Sequence, residues 1–112
     1  MQTIAIIGGT GLTEFENLDV LHRHDRLSTA LGAPSSDIVE GMLNGTRLLF
    51  LARHGHPHAV PPHKINYRAN LLALQQLGAE NIIAVNAVGG IHSKAIAGHI
   101  SVPHQIIDYT QG

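Results

Sequence analysis

Arg53, His54, His56 and His58 place a guanidinium and three imidazoles within six consecutive residues, directly after the apolar run Leu48-Leu49-Phe50-Leu51-Ala52. Arginine presents a planar fork of donors that matches phosphate or carboxylate oxygens, and histidine can donate a hydrogen bond neutral or charged. A loop of this composition at the end of a strand is suited to hold an anion. Two other uses of the same residues compete with that one. A single histidine at a strand end is often only a satisfied polar residue. In extended backbone, His54-x-His56-x-His58 would turn alternate imidazoles to one side, a geometry that can ligate zinc. Pro57 and Gly55 disfavour a regular strand there, and no clustered carboxylate or matching distant pair of histidines completes a ligand set. A metal-dependent hydrolase is therefore the weaker reading, and no metal is expected.

Two glycine loops also follow apolar runs. Ile4-Ala5-Ile6-Ile7 leads into Gly8-Gly9-Thr10-Gly11, and Ile82-Ile83-Ala84-Val85 leads into Asn86-Ala87-Val88-Gly89-Gly90. Glycines let backbone amides turn toward an anion, and the side chains of Thr10 and Asn86 can add hydrogen bonds. Three strand ends are thus expected to converge on one ligand. The familiar nucleotide fingerprints do not fit. Starting a dinucleotide motif at Gly9-Thr10-Gly11 puts Glu14 where the third glycine belongs, and no phosphate-loop Gly-Lys-Ser/Thr occurs.

The elements that must carry these loops are partly legible. Near-continuous apolar runs mark Thr3-Ile7 and Asn81-Val85 as strands expected to be buried on both faces of a mainly parallel sheet. Asp37-Leu43, Asn44-Gly45 and Thr46-Ala52 read as a hairpin, because Asn-Gly readily takes the positive φ angles of a type I′ turn. Asn66-Leu77 reads as a helix with Ala69, Leu72, Ala73 and Leu77 on one face, ending at Gly78. A last strand, interrupted at Pro103, is expected within Gly98-Tyr109. Glu14-Ser36 gives no clear period and is read as loop with some strand.

With 112 residues the chain fits one domain without an internal boundary, and a chain of that size buries about two-thirds of its extended surface. Seven Lys and Arg against eight Asp and Glu give a net charge of −1, so no basic field draws in nucleic acid or an anionic membrane. Any affinity for anions must be local. Nine histidines and no cysteine exclude disulfide and thiol chemistry and suit a cytoplasmic setting. No export signal or membrane span is expected from the opening residues. The chain stops just after an apolar run, which predicts either a covering partner chain or a longer domain of which this is a piece.

Ile6-Ile7-Gly8-Gly9-Thr10-Gly11-Leu12, Leu51-Ala52-Arg53-His54-Gly55, Pro62-His63-Lys64-Ile65-Asn66-Tyr67-Arg68-Ala69-Asn70, Asn86-Ala87-Val88-Gly89-Gly90 and Gln105-Ile106-Ile107-Asp108-Tyr109-Thr110 together closely resemble the methylthioadenosine and purine nucleoside phosphorylase family. The likeness runs from residue 1 to residue 112 in the family's order. His54-Gly55-His56-Pro57-His58 and Asn86-Ala87-Val88-Gly89-Gly90-Ile91-His92 point within it to the bacterial branch acting on S-methyl-5′-thioinosine. The resemblance implies an α/β fold, the N-terminal part of a mixed central sheet with flanking helices. It implies phosphorolysis of S-methyl-5′-thioinosine to hypoxanthine and 5-methylthioribose 1-phosphate, with methylthioadenosine or inosine and guanosine as the alternative substrates. Phosphate would be a co-substrate and no cofactor would be needed. Carried over by position, Thr10, Arg53, His54, Asn86 and Ala87 would bind phosphate, and His58 would add a substrate contact. His56 stands where relatives carry arginine, and Asn86 matches the purine nucleoside branch rather than the threonine of the methylthioadenosine branch. His104 replaces an acidic residue and is given no role. The acid that protonates the leaving base is expected outside this chain, and a homotrimer is implied. The rival from another class is a non-catalytic nucleotide-binding module.

Overall fold

The computed structural model describes residues 2–9, 18–55 and 59–110. Five strands form one mixed sheet in the order β2-β3-β4-β1-β5. They are β1 Thr3–Gly8, β2 Asp19–His24, β3 Ile38–Leu43, β4 Thr46–Ala52 and β5 Asn81–Ala84, with helix α1 at Tyr67–Gln76 between β4 and β5. The central strand β1 pairs in parallel with β4 on one side and β5 on the other. The β2-β3-β4 side is antiparallel, with a register shift between Val20 and His22.

The hairpin forms where the Asn-Gly pair predicts it. Asn44 and Gly45 take φ angles of 49° and 80°, which is the type I′ requirement. Alternation in β1 and β4 then sets the core. Ala5 lies opposite Leu49 and Ile7 opposite Leu51, and these four pack with Ile38 against Ala73 and Leu74 of α1. On the other face Leu18 fills the space that Gly41 leaves by lacking a side chain.

Three expectations need correction. The helix buries Ala69, Asn70, Ala73 and Leu74, and Leu77 is partly buried against the same core, so of the predicted face only Leu72 stays outside the core cluster. Leu74 takes the inner position instead. Strand β5 is exposed along its whole length rather than buried on both faces, because it is the edge strand of the described sheet. No strand forms within 98–109. That stretch is exposed, with Ile100, Val102, Ile106 and Tyr109 all open to solvent, and its backbone finds no neighbouring strand to pair with among the described residues. Within the unreadable segment, β2 is the strand that only pairing with β3 reveals.

A polar network ties the starts of β1 and β4 to β2, β3 and the end of α1. Arg47 donates from Nε and Nη2 to the two oxygens of Glu40, at 2.9 and 3.0 Å. Its Nη1 reaches Thr3 Oγ1 at 3.2 Å and the Leu77 carbonyl at 3.0 Å, while His24 Nε2 lies 2.8 Å from Glu40 Oε1. The Arg47 guanidinium and then His24 hold the Glu40 carboxyl down to about 2, from 4.5. A folded-state value below the unfolded one means that this stabilisation is complete above about pH 4.5 and is lost as pH falls toward 2. Glu40→Gln should lower stability at neutral pH by about 1–2 kcal/mol and flatten the acid limb of the stability profile. Urea unfolding at a series of pH values reads both, and an unchanged acid limb in the variant would contradict the assignment.

Candidate anion site

The far end of the same three strands carries the other polar cluster. Beyond Ala52 the β4 ladder continues by one bond, the Arg53 N–H donating to the Gly8 carbonyl at 2.8 Å. On the other side of β1, the Val85 N–H donates to the Ile7 carbonyl at 2.9 Å. The carboxyl ends of β4, β1 and β5 are therefore adjacent, as the three apolar-run-to-loop transitions predict. In open parallel sheets this is the edge at which ligands bind.

Arg53 and His54 occupy a tight turn closed by the Gly55 N–H, which donates to the Ala52 carbonyl at 3.0 Å. Gly55 takes φ 83° there, a conformation glycine adopts without strain. The Arg53 guanidinium reaches across Gly9 to β5, where Nη1 donates a long hydrogen bond of 3.4 Å to the Val85 carbonyl. A Cβ on Gly9 would lie 2.9 Å from Arg53 Cζ and 3.0 Å from the Val85 oxygen, and would collide with Arg53 Nη2. Gly9 thus leaves the space the guanidinium occupies. Among the described residues no carboxylate pairs with Arg53; the ion pairs there belong to Glu40.

His54 faces inward and is only 8 % exposed. Its Nδ1 lies 2.8 Å from the Val60 carbonyl, and its own carbonyl accepts from Ala59 N at 2.8 Å and Val60 N at 2.7 Å. A carbonyl can only accept, so Nδ1 carries the proton. A neutral ring then accepts at Nε2, and only a charged ring donates from it. These bonds tie residue 54 to residues 59 and 60. Among the described residues no three His, Cys, Asp or Glu side chains gather as a metal centre.

Of the residues singled out in the sequence, the structure brings Arg53 and the glycine loop at Gly9 together with the end of β5. Asn86 and Ala87 follow directly at that end and are exposed. Thr10, His56 and His58 lie outside the described residues. Asn66 and Asn70, from the motif Pro62–Asn70, bond within the fold. Asn66 caps α1 by accepting from Ala69 N at 3.1 Å and donates to the Leu31 carbonyl at 2.8 Å. The Val60 and Val85 carbonyls were invisible in the sequence, since any residue type supplies one. A cavity of about 310 Å³ lined by Leu71, Leu72, Gln75, Ala79, Glu80 and Ile82 lies toward the start of β5 and presents no cation, so it is not part of this cluster.

Sequence and geometry agree on a class. The pattern of the phosphorylase superfamily matches residues 3–112, and the chain belongs to that superfamily. Among its relatives, the "Probable S-methyl-5′-thioinosine phosphorylase" of Pseudomonas syringae pv. tomato is 55% identical over 112 residues, all of this chain and 45% of that protein. The S-methyl-5′-thioadenosine phosphorylase of Geobacter sulfurreducens is 45% identical over 109 residues, 97% of this chain and 38% of that protein. A solved methylthioadenosine phosphorylase from Schistosoma mansoni, in complex with adenine, superposes with a TM-score of 0.70 at 36% identity, covering 75% of this chain and 29% of that one. The chain therefore spans about half the length, or less, of the relatives it matches. Among the described residues no helix is long and apolar enough to cross a membrane.

Gly9→Ala should push the guanidinium off the Val85 carbonyl. The collision is mainly with the flexible end of a side chain, so the fold should lose only about 1 kcal/mol or less. Calorimetric titration of the complete protein with inorganic phosphate should show affinity reduced about tenfold, and wild-type affinity in the variant would show that Arg53 does not depend on this space.

Proposed function

We propose that residues 1–112 form the N-terminal portion of a single nucleoside phosphorylase domain. The complete enzyme cleaves S-methyl-5′-thioinosine with phosphate to hypoxanthine and 5-methylthioribose 1-phosphate, a step of purine salvage. The observation that carries this reading is the Arg53 guanidinium lying over Gly9 at the shared end of β4, β1 and β5, in a chain 55% identical to a relative named for that substrate. Thr10, Arg53, His54, Asn86 and Ala87 would hold phosphate, with His58 as an added contact. The enzyme would be a cytoplasmic homotrimer that uses phosphate as co-substrate and needs no metal or other cofactor.

The chemistry follows from where the anion would sit. Cleavage of the bond between the anomeric carbon and the purine nitrogen builds positive charge on the ribosyl ring, as in glycosyl transfer generally. A phosphate fixed beside that carbon stabilises the charge, and one of its oxygens forms the new bond as the old one breaks. The electron pair of the broken bond leaves with the base, which takes up a proton from a group we place outside this chain. Arg53 would orient the phosphate and compensate its charge. His54, with its proton held on Nδ1 by the Val60 carbonyl, would accept from a protonated phosphate oxygen when neutral and donate to phosphate when charged.

In the complete enzyme, Arg53→Ala should impair phosphate use by about 2–4 kcal/mol and leave the nucleoside KM nearly unchanged. Steady-state kinetics varying the two substrates separately decides this, and an unaltered phosphate dependence would remove Arg53 from the site. Methylthioadenosine and inosine belong in the same assay, because methylthioadenosine phosphorylases are also among the relatives. Residues 1–112 alone should release no base from any of the three, since orientation and charge stabilisation are lost together in a half-built site. Turnover by a monomer of this length would refute the division of the active site proposed here.

A further inference from the structure

We propose that Ser36 and Asn70 are positioning residues for the anion site, a relay that holds the Arg53–His54 turn from the side opposite β1. The inference rests on the phosphate-site reading of Arg53 and on the hydrogen bonds that join α1 to the end of β4.

The β3–β4 ladder ends at the pair Ile38 and Leu51. Ala52 is one residue farther on, and its N–H points to the β3 side, where no strand residue remains to receive it. Ser36 Oγ takes that role, accepting from Ala52 N at 3.0 Å while its own proton goes to the Asp37 carbonyl at 2.7 Å. The next residue is tied the other way, Arg53 N to the Gly8 carbonyl at 2.8 Å. Consecutive peptide groups at the base of the Arg53 side chain are therefore anchored in opposite directions, one by β1 and one by Ser36. Both anchors are needed to fix the backbone from which the guanidinium crosses Gly9.

Ser36 is in turn held by α1. Asn70 accepts from Ser35 N at 2.8 Å through Oδ1 and donates to Ser35 Oγ at 3.1 Å through Nδ2. It is only 2 % exposed and shares the inner stripe of the helix with Ala69, Ala73 and Leu74. An apolar side chain would serve packing better at such a position, since a buried amide must find partners for both ends. Asn70 finds both on one residue of the connecting segment, the neighbour of Ser36. The relay thus runs from the helix through Ser35 and Ser36 to the last residue of β4.

The test uses the complete enzyme with S-methyl-5′-thioinosine and phosphate. Ser36→Ala should raise the phosphate KM by about 5–20-fold and leave the nucleoside KM within about twofold, while Ser36→Thr, which keeps the hydroxyl, should restore most of the difference. Ser36→Cys keeps the volume with a poor acceptor and replaces the alanine variant if that does not fold. Glu40→Gln, on β3 and bonded to Arg47 near the start of β4, is the control for simple destabilisation and should leave the phosphate KM at the wild-type value. A Ser36 variant that melts earlier but keeps the wild-type phosphate KM would overturn the relay while leaving the proposed function standing. A wild-type enzyme with no phosphate-dependent base release would overturn both.

Discussion

The position of β1 between two parallel partners governs everything else in this chain. Hydrogen bonds from Arg53 N to the Gly8 carbonyl and from Val85 N to the Ile7 carbonyl extend the two ladders to almost the same level. Parallel strands in register end together, so three loops far apart in sequence open at one edge. A guanidinium delivered by the second loop can then lie over the glycine of the first and touch the carbonyl that begins the third. If β4 slipped by one residue, Leu49 and Leu51 would turn out of the core. The packing of those leucines with Ala5, Ile7 and Leu74 therefore holds the register on which the site depends.

The two ends of β4 treat charge in opposite ways. At its start, Arg47 is matched by both oxygens of Glu40 and by two further acceptors, an arrangement in which each of its three nitrogens is bonded. The strongly lowered carboxyl of this chain sits there, and its role is to bind the strands and the end of α1 together. At the other end, Arg53 donates to a carbonyl at long range, and among the described residues no carboxylate pairs with it. In the proposed site its charge would be available to an incoming anion. A perturbed carboxyl thus marks the scaffold here, while the proposed anion site rests on Arg53.

Beyond β5 the chain behaves differently. Residues 85–110 are exposed and form no strand or helix, although Val88, Ile91, Ile100, Val102 and Ile106 lie within them. Apolar side chains have no means of ordering a backbone without a surface on which to be buried, and none is present for them among the described residues. The exposed edge of β5 belongs to the same picture. Among the described residues, the turn after β4 is closed by its own hydrogen bond, and the segment after β5 is bonded to β1 only as far as Val85.

The sequence by itself determined the features that depend on local chemistry. Asn44-Gly45 defines its turn because few residue pairs tolerate two positive φ angles. Gly78 ends the helix for the same reason, at φ 94°. The clustered Arg53 and His54 after an apolar run point to the proposed anion site by residue type alone. Only the tertiary structure decided what depends on who lies opposite. It made Leu74 the fully buried leucine of α1, with Leu77 partly buried beside it and Leu72 left outside the core cluster. It turned Asn66 and Asn70 into a cap and a clamp, fixed the proton of His54 on Nδ1 through the Val60 carbonyl, and made β2 a strand by giving it β3. It also withheld a strand from residues 98–109, since a β-strand is a property of a pair and the apolar run had no partner. Periodicity records what a segment can bury; only the neighbouring surface settles whether it does.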